Sequence, residues 1–270
     1  MKKIVNLFMM ALAATLSTPV YSKSIPQQPI NTCSAMVPYG MPASKSVTQI
    51  ICRTAYIVGY DGKSKIPNWV SYVADNKSVL GCQPRADEFY TDETLPANIQ
   101  SKSSDYAKTG YDIGHMANAS DMASTLQTET ESFLMSNMTP QKPGVNRAVW
   151  KSIETAVRTW AISRNHKLVI ISGSVYGPNS KKIGNGVVVP DSIYKIIIDE
   201  TTKEYLAFNV SQTNTPKEIA QTQTTISEIE QMAGVSIMVP AGLNKTIKAP
   251  IWDISYSAYQ ASKKQTCKVN

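Results

Sequence analysis

NRAVWKSIETAVRTWAIS, residues 146–163, repeats its apolar side chains at helical spacing: Val149, Trp150, Ile153, Val157, Trp160 and Ala161 fall on one side. The pattern predicts a helix over residues 145–163 with one buried face, which needs a broad apolar partner. Trp150 and Trp160 on that face read as core rather than as platforms for stacked bases. Working outward, three β-rich runs follow: KLVIISGSVYG (167–177), GVVVPDSIYKIIID (186–199) and EYLAFNVSQ (204–212). Upstream, TAYIVGYDGKSKIPNWVSYVAD (54–75) reads as two strands around a polar turn. TTISEIEQMAG (224–234) adds a short helix, with Ile226, Ile229 and Met232 inward and Gly234 ending it. Strands and helices mix without strict alternation. The class is therefore α+β, with a largely antiparallel central sheet flanked by helices.

The ends of the chain bear on compartment. Lys2 and Lys3 precede an apolar run from Ile4 to Leu16 and small or polar residues at Ser17, Thr18 and Ser22, the layout of a secretory signal peptide over residues 1–22. That run is shorter than a membrane span, and no later stretch approaches one, so no stable membrane partner is expected. Residues 23–42 read as an extended N-terminal arm and residues 43–270 as one domain. Export places the protein in the periplasm or outside the cell. The four cysteines, Cys33, Cys52, Cys82 and Cys267, all follow the leader, and an even number in an oxidising compartment predicts two disulfides with three pairings open. The net charge is +7, and removing the leader takes away two of the lysines. A basic exported chain suits polyanions, without choosing among them. No zinc-type Cys/His cluster occurs, and His166 in RNHK reads as a surface residue.

The chemistry concentrates in YDIGHMANASDM, residues 111–122, which holds one of only two histidines. Downstream lie Asn137 in FLMSNMTPQ, Asn146 at the helix start and Glu154 within the helix. Eight helical residues rise about 12 Å, so Asn146 and Glu154 do not both bind one ion directly, and Glu154 acts through water. An amide oxygen with a water-linked carboxylate suits Mg2+, which prefers oxygen ligands and keeps several of its own waters. A histidine with an ordinary pKa near 6.5 stays neutral beside such an ion and can accept a proton from water. Gly114 before it allows close approach of backbone and substrate. The upstream loop, residues 81–104, is long and polar and contains Arg85, whose guanidinium suits two phosphate oxygens.

Together these pieces resemble the DNA/RNA non-specific endonucleases with a ββα-metal active site. The family's Asp-Arg-Gly-His motif corresponds to Asp112, Ile113, Gly114 and His115. NMTPQ, NRAVWKSIE, ISGSVYG, VPDSIYKII, QTNTP and TISEIEQMAG follow in the family's order, so the likeness runs from about Ala55 to Leu243. It implies phosphodiester hydrolysis of DNA and RNA held by the backbone, with 5′-phosphate products and little regard for base identity. It also implies His115 as general base, Asn146 as ligand of Mg2+ (or Mn2+) and Glu154 as organiser of the ion's water. Asn137 would orient the histidine segment, Arg85 would contact phosphate, and Asp112 and Gly114 would support the motif. A homodimer and an inhibitor protein stay open. One position departs: Ile113 stands where the family usually has arginine, which leaves a nucleic-acid binder with little turnover as the alternative.

Overall fold

The computed structural model describes residues 25–86, 88–213 and 216–268. The leader over residues 1–22 lies outside them. Six antiparallel strands form the central sheet: β1 (Gln49–Cys52), β2 (Tyr56–Asp61), β3 (Ile66–Ala74), β6 (Leu168–Val175), β7 (Ser192–Asp199) and β8 (Tyr205–Ser211). Their spatial order is β8-β7-β6-β3-β2-β1. Two further strands, β4 (Asp112–His115) and β5 (Met138–Gln141), pair as a separate antiparallel ribbon, with Gly114 opposite Thr139 and His115 opposite Met138. The longer helices are α1 (Leu126–Ser132), α2 (Trp150–Arg164), α3 (Ile226–Ala233) and α4 (Tyr256–Thr266).

Both faces of the sheet are covered, which explains the long apolar runs. On β7 the side chains alternate: Ile193 and Ile197 join the core under α2, while Tyr194, Ile196 and Ile198 join the core under α3. Trp150, Ile153, Val157 and Trp160 fill the first layer, as their spacing predicts. Ile226 and Ile229 enter the second, capped by a reciprocal Thr225–Glu228 pair and closed by Gly234 at φ +60°. Met232, expected inward, is 41% exposed. Six helical residues turn about 600°, which leaves Met232 roughly 120° from Ile226.

Three other features differ from expectation. The helix begins not as a plain α-helix but with a wide π turn, Val145–Val149. The run 186–199 breaks into a two-residue strand, Val187–Val188, and β7, because Pro190 interrupts the ladder. The N-terminal segment expected to be extended instead contains a 3₁₀ helix, Ile30–Met36, held to the sheet. Cys33–Cys52 ties it down, Ser71 Oγ donates to the Met36 carbonyl at 2.6 Å, and Arg53 donates to the carbonyls of Ile25 and Pro26.

The second disulfide, Cys82–Cys267, closes 185 residues and staples α4 to the long loop that carries Arg85. The α4 helix packs on α2, and the segment before it contributes Trp252, whose carbonyl accepts from Trp160 Nε1 at 3.1 Å. Among the described residues no helix is long and apolar enough to cross a membrane.

Candidate active site

The β4–β5 ribbon leads directly into the helix, so β4, β5 and α2 form a ββα unit, and each expected site residue lies in or against it. Pro143 opens the helix where its missing N–H costs nothing, and the Lys142 carbonyl accepts from both Val145 and Asn146. Asn146 is thus inside the first turn rather than capping it. The π turn matters here. An uninterrupted α-helix would leave Asn146 and Glu154 about 80° apart, whereas a turn that absorbs one extra residue reduces this to roughly 20°.

Asp112, Asn146 and Arg147 meet. Asn146 Nδ2 donates to Asp112 Oδ2 at 2.9 Å, and Arg147 donates to both carboxylate oxygens, at 2.8 and 2.6 Å. Arg147, 71% exposed, is the main reason the Asp112 carboxyl titrates below its usual range, with Asn146 adding to the effect against partial burial. Because the amide nitrogen of Asn146 faces Asp112, its carbonyl oxygen is turned elsewhere. Ile113 packs against the small cluster around Tyr106, Met135 and Met138.

His115 ends β4 at 8% exposure, its ring edge-on to Phe133 at 4.7 Å and 5.7 Å from Phe89. Its Nε2 is buried and, among the described residues, has no hydrogen-bond partner. Arg85, itself exposed, lies with its guanidinium 4.9 Å from the centre of the Phe133 ring. Burial first, and the Arg85 charge second, push the His115 imidazole down to about 3. The ring therefore stays neutral at any ordinary pH. The unfolded ring accepts a proton near pH 6.5 and the native ring only near 3. The stability His115 contributes is therefore complete above about pH 6.5 and is lost as pH falls from there toward 3. The chain has two histidines, so imidazole carbon-bound proton signals, assigned with a His166→Gln variant, test this directly. The His115 signal should hold its shift from pH 8 to 5; a midpoint near 6.5 would contradict the burial argument.

Asn137 is fully buried and clamps the segment after His115. Its Oδ1 accepts from the Ala117 N–H at 2.8 Å, and its Nδ2 donates to the carbonyls of Ala117 and Ser132 at 3.0 and 2.8 Å. Gly114 is required by close approach: a Cβ there would lie 2.2 Å from Gln141 Cδ on β5, and Gln141 is itself fully buried. Gly114→Ala should cost about 1–3 kcal/mol by overpacking. Denaturant melts should show it, and a Gln141→Ala change made alongside should recover most of the loss.

Glu154 is 6% exposed and sits in a buried charged group that sequence reasoning missed. Arg158 Nη1 meets Asp121 Oδ1 at 3.1 Å and Asn118 Oδ1 at 3.0 Å, and Tyr72 Oη donates to Asp121 Oδ2 at 2.8 Å. Lys195, fully buried on β7, donates to Ser172 Oγ at 2.7 Å and lies 4.5 Å from the Trp150 ring centre. Burial raises the Glu154 carboxyl above its usual range, while the Lys195 and Arg158 charges oppose that rise. A lone lysine inside SIYKIIID was the available signal, since charged residues are seldom fully buried without a partner. The i,i+4 spacing of Glu154 and Arg158 was another. His166, by contrast, is structural: its Nδ1 lies 2.7 Å from Asp199 Oδ2, which also pairs with Arg164.

Among the described residues no three His, Cys, Asp or Glu side chains assemble a metal site. A cation here would take its protein ligand from an amide. The arrangement suits a hard divalent ion, with the Asn146 carbonyl oxygen turned from Asp112, a carboxylate two turns along and an unpartnered His115 nitrogen.

Residues 34–244 match the DNA/RNA non-specific endonuclease family. A Nostoc nuclease is 32% identical over 189 residues, 67% of this chain and 68% of its own length. The mitochondrial nuclease of Saccharomyces cerevisiae is 29% identical over 184 residues, 62% of this chain and 55% of that protein's length. In structure, the chain resembles one chain of the crystal structure of the EndoG/EndoGI complex, with a TM-score of 0.69 at 25% identity, covering 80% of this chain and 94% of that one. With its ββα unit and these relatives, the chain belongs to the family of DNA/RNA non-specific endonucleases.

Proposed function

We propose that this protein is an exported, magnesium-dependent endonuclease that hydrolyses phosphodiester bonds in DNA and RNA and leaves 5′-phosphate ends. The observation that carries the reading is the buried, neutral His115 with its unpartnered Nε2, on the same short strand whose other end, Asp112, pairs with Asn146. The family's dependence on divalent cations and the oxygen donors present support Mg2+, with Mn2+ as a substitute.

In this reading the neutral His115 imidazole takes a proton from water as the oxygen attacks phosphorus opposite the 3′ oxygen. The new P–O bond forms as the P–O3′ bond breaks, and the departing 3′ oxygen takes a proton from solvent. A bound divalent cation supplies positive charge for the phosphoryl and departing oxygens. Asn146 would hold it through its amide oxygen, Asp112 fixes the Asn146 amide, and Glu154 would order water nearby. Arg85 contacts phosphate and adds charge beside His115. Asn137 and Gly114 act through position, setting where the His115 ring points. The sequence holds no RNA-recognition motif, zinc finger or helix-turn-helix signal, which suits a substrate recognised by its backbone. Export is supported by the leader's layout and by the pairing of all four cysteines in disulfides.

The test is cleavage of supercoiled plasmid and structured RNA with Mg2+ and with chelator, followed by assay of the new ends. Metal-dependent loss of both substrates with ligatable 5′-phosphates is the expected result. Intact substrates that are nevertheless bound by folded, oxidised protein would transfer the assignment to a binder, and Ile113→Arg would then be the change to try.

A further inference from the structure

The α4 helix lies beyond residues 34–244, the part shared with the family, yet the second disulfide ties it to the loop that carries Arg85, and it packs along α2. Between them runs an open groove of about 450 Å3, walled on one side by Arg147, Lys151 and Thr155 and on the other by Tyr256, Tyr259 and Gln260. Residues 147, 151 and 155 form one ridge, each about 6 Å further along the axis. It lies beside the ridge of Asn146, Trp150 and Glu154, one residue round the helix. No acidic side chain lines the groove, and Tyr256 is 40% exposed. Arg147 uses Nε and one amino group on Asp112, which leaves its other amino group outside that pair. Tyr259 also walls a smaller cavity of about 160 Å3 with Arg85, Ser120, Lys263 and one acid, Glu129, so the groove reaches toward the arginine beside His115.

Cations along one wall and aromatic faces along the other are the two elements that hold unpaired nucleic acid. Phosphates sit on the charges and bases stack on the rings, whose partners a duplex would hide. We infer that the groove between α2 and α4 binds a single-stranded stretch of the substrate flanking the scissile phosphate, with backbone on Arg147 and Lys151 and a base on Tyr256. This rests on the nuclease reading for its placement. The groove makes the protein favour unpaired strands over duplex of the same length.

The experiment measures fluorescence anisotropy of a labelled oligothymidylate and of an equal-length duplex, without metal, on the His115→Ala protein with and without groove changes. Tyr256→Ala should raise Kd for the single strand about fivefold or more, the effect of losing one stacked base, and Tyr256→Trp should restore it. Lys151→Ala should reduce the slope of log K against log salt by about 0.7. In otherwise unaltered enzyme, Tyr256→Ala should leave hydrolysis of bis(p-nitrophenyl) phosphate unchanged, because that ester does not reach the groove. Parental single-strand affinity in both Tyr256→Ala and Lys151→Ala would overturn the proposal. Equal losses for duplex and single strand would overturn it as well, as would groove changes that alter only binding of a polyglutamate peptide. If the parent protein cleaves nothing, the nuclease reading fails, while the anisotropy comparison still decides the groove.

Discussion

Replacing His115 with alanine is expected to lower kcat/KM for plasmid cleavage by about 10²–10⁴-fold, the usual loss when a positioned general base is removed. The reason is local. Among the described residues no hydrogen bond occupies His115 Nε2, and Phe133 and Phe89 pack around the ring, so no neighbouring side chain is placed to take over the proton. Affinity for nucleic acid should change little, because that binding rests on backbone charge supplied elsewhere. Cleavage rates and anisotropy, measured on protein whose circular dichroism matches the parent, separate the two. A variant that cuts within threefold of the parent would remove His115 from the chemistry.

Arg158→Leu is expected to destabilise the protein by about 3–5 kcal/mol, because it strands Asp121 as an unpaired charge in the interior. Asp121 is 1% exposed, and its remaining hydrogen bond comes from the neutral Tyr72 hydroxyl. For a chain of this size such a loss lowers Tm by roughly 6–20 °C. The same change withdraws one of the two charges that restrain the pKa of Glu154, so the carboxyl should protonate at a higher pH. Cation binding at neutral pH should weaken accordingly, in the direction of fewer carboxylates available as pH falls. Thermal melts and a Mg2+ titration read both effects. Asp121→Leu combined with Arg158→Leu should recover much of the stability, since removing both charges leaves none uncompensated. A single variant that melts within 2 °C of the parent would mean that water reaches Asp121.

The two predictions draw on different levels of the molecule. DIGH and the spacing of Asn137, Asn146 and Glu154 are legible along the chain, because a short ribbon running into a helix keeps the candidate residues on consecutive elements. The aromatic walls around His115 come from Phe89 and Phe133, on a loop and just after α1, and nothing local in FLMSNMTPQ says which ring will meet which. The π turn was equally hidden: its extra residue leaves the apolar spacing of α2 intact, so the helix was legible and its widened first turn was not.

What the sequence alone determined was periodic or covalent in origin. Apolar spacing settled the α2 helix and five strands of the central sheet, the cysteine count settled two disulfides, and the order of short motifs carried the likeness to the family, which implied the ββα unit. Tertiary structure decided the rest. It chose Cys33–Cys52 and Cys82–Cys267 among three pairings, buried Lys195 and Arg158 beneath Glu154, and turned Arg147 onto Asp112. It also laid a C-terminal helix along the groove. The disulfides join residues 19 and 185 positions apart, and Arg158 reaches Asp121 across 37. Their energies come from burial and charge pairing that exist only once the chain has closed, so the sequence carries at most a local trace of them, such as the lone lysine in SIYKIIID.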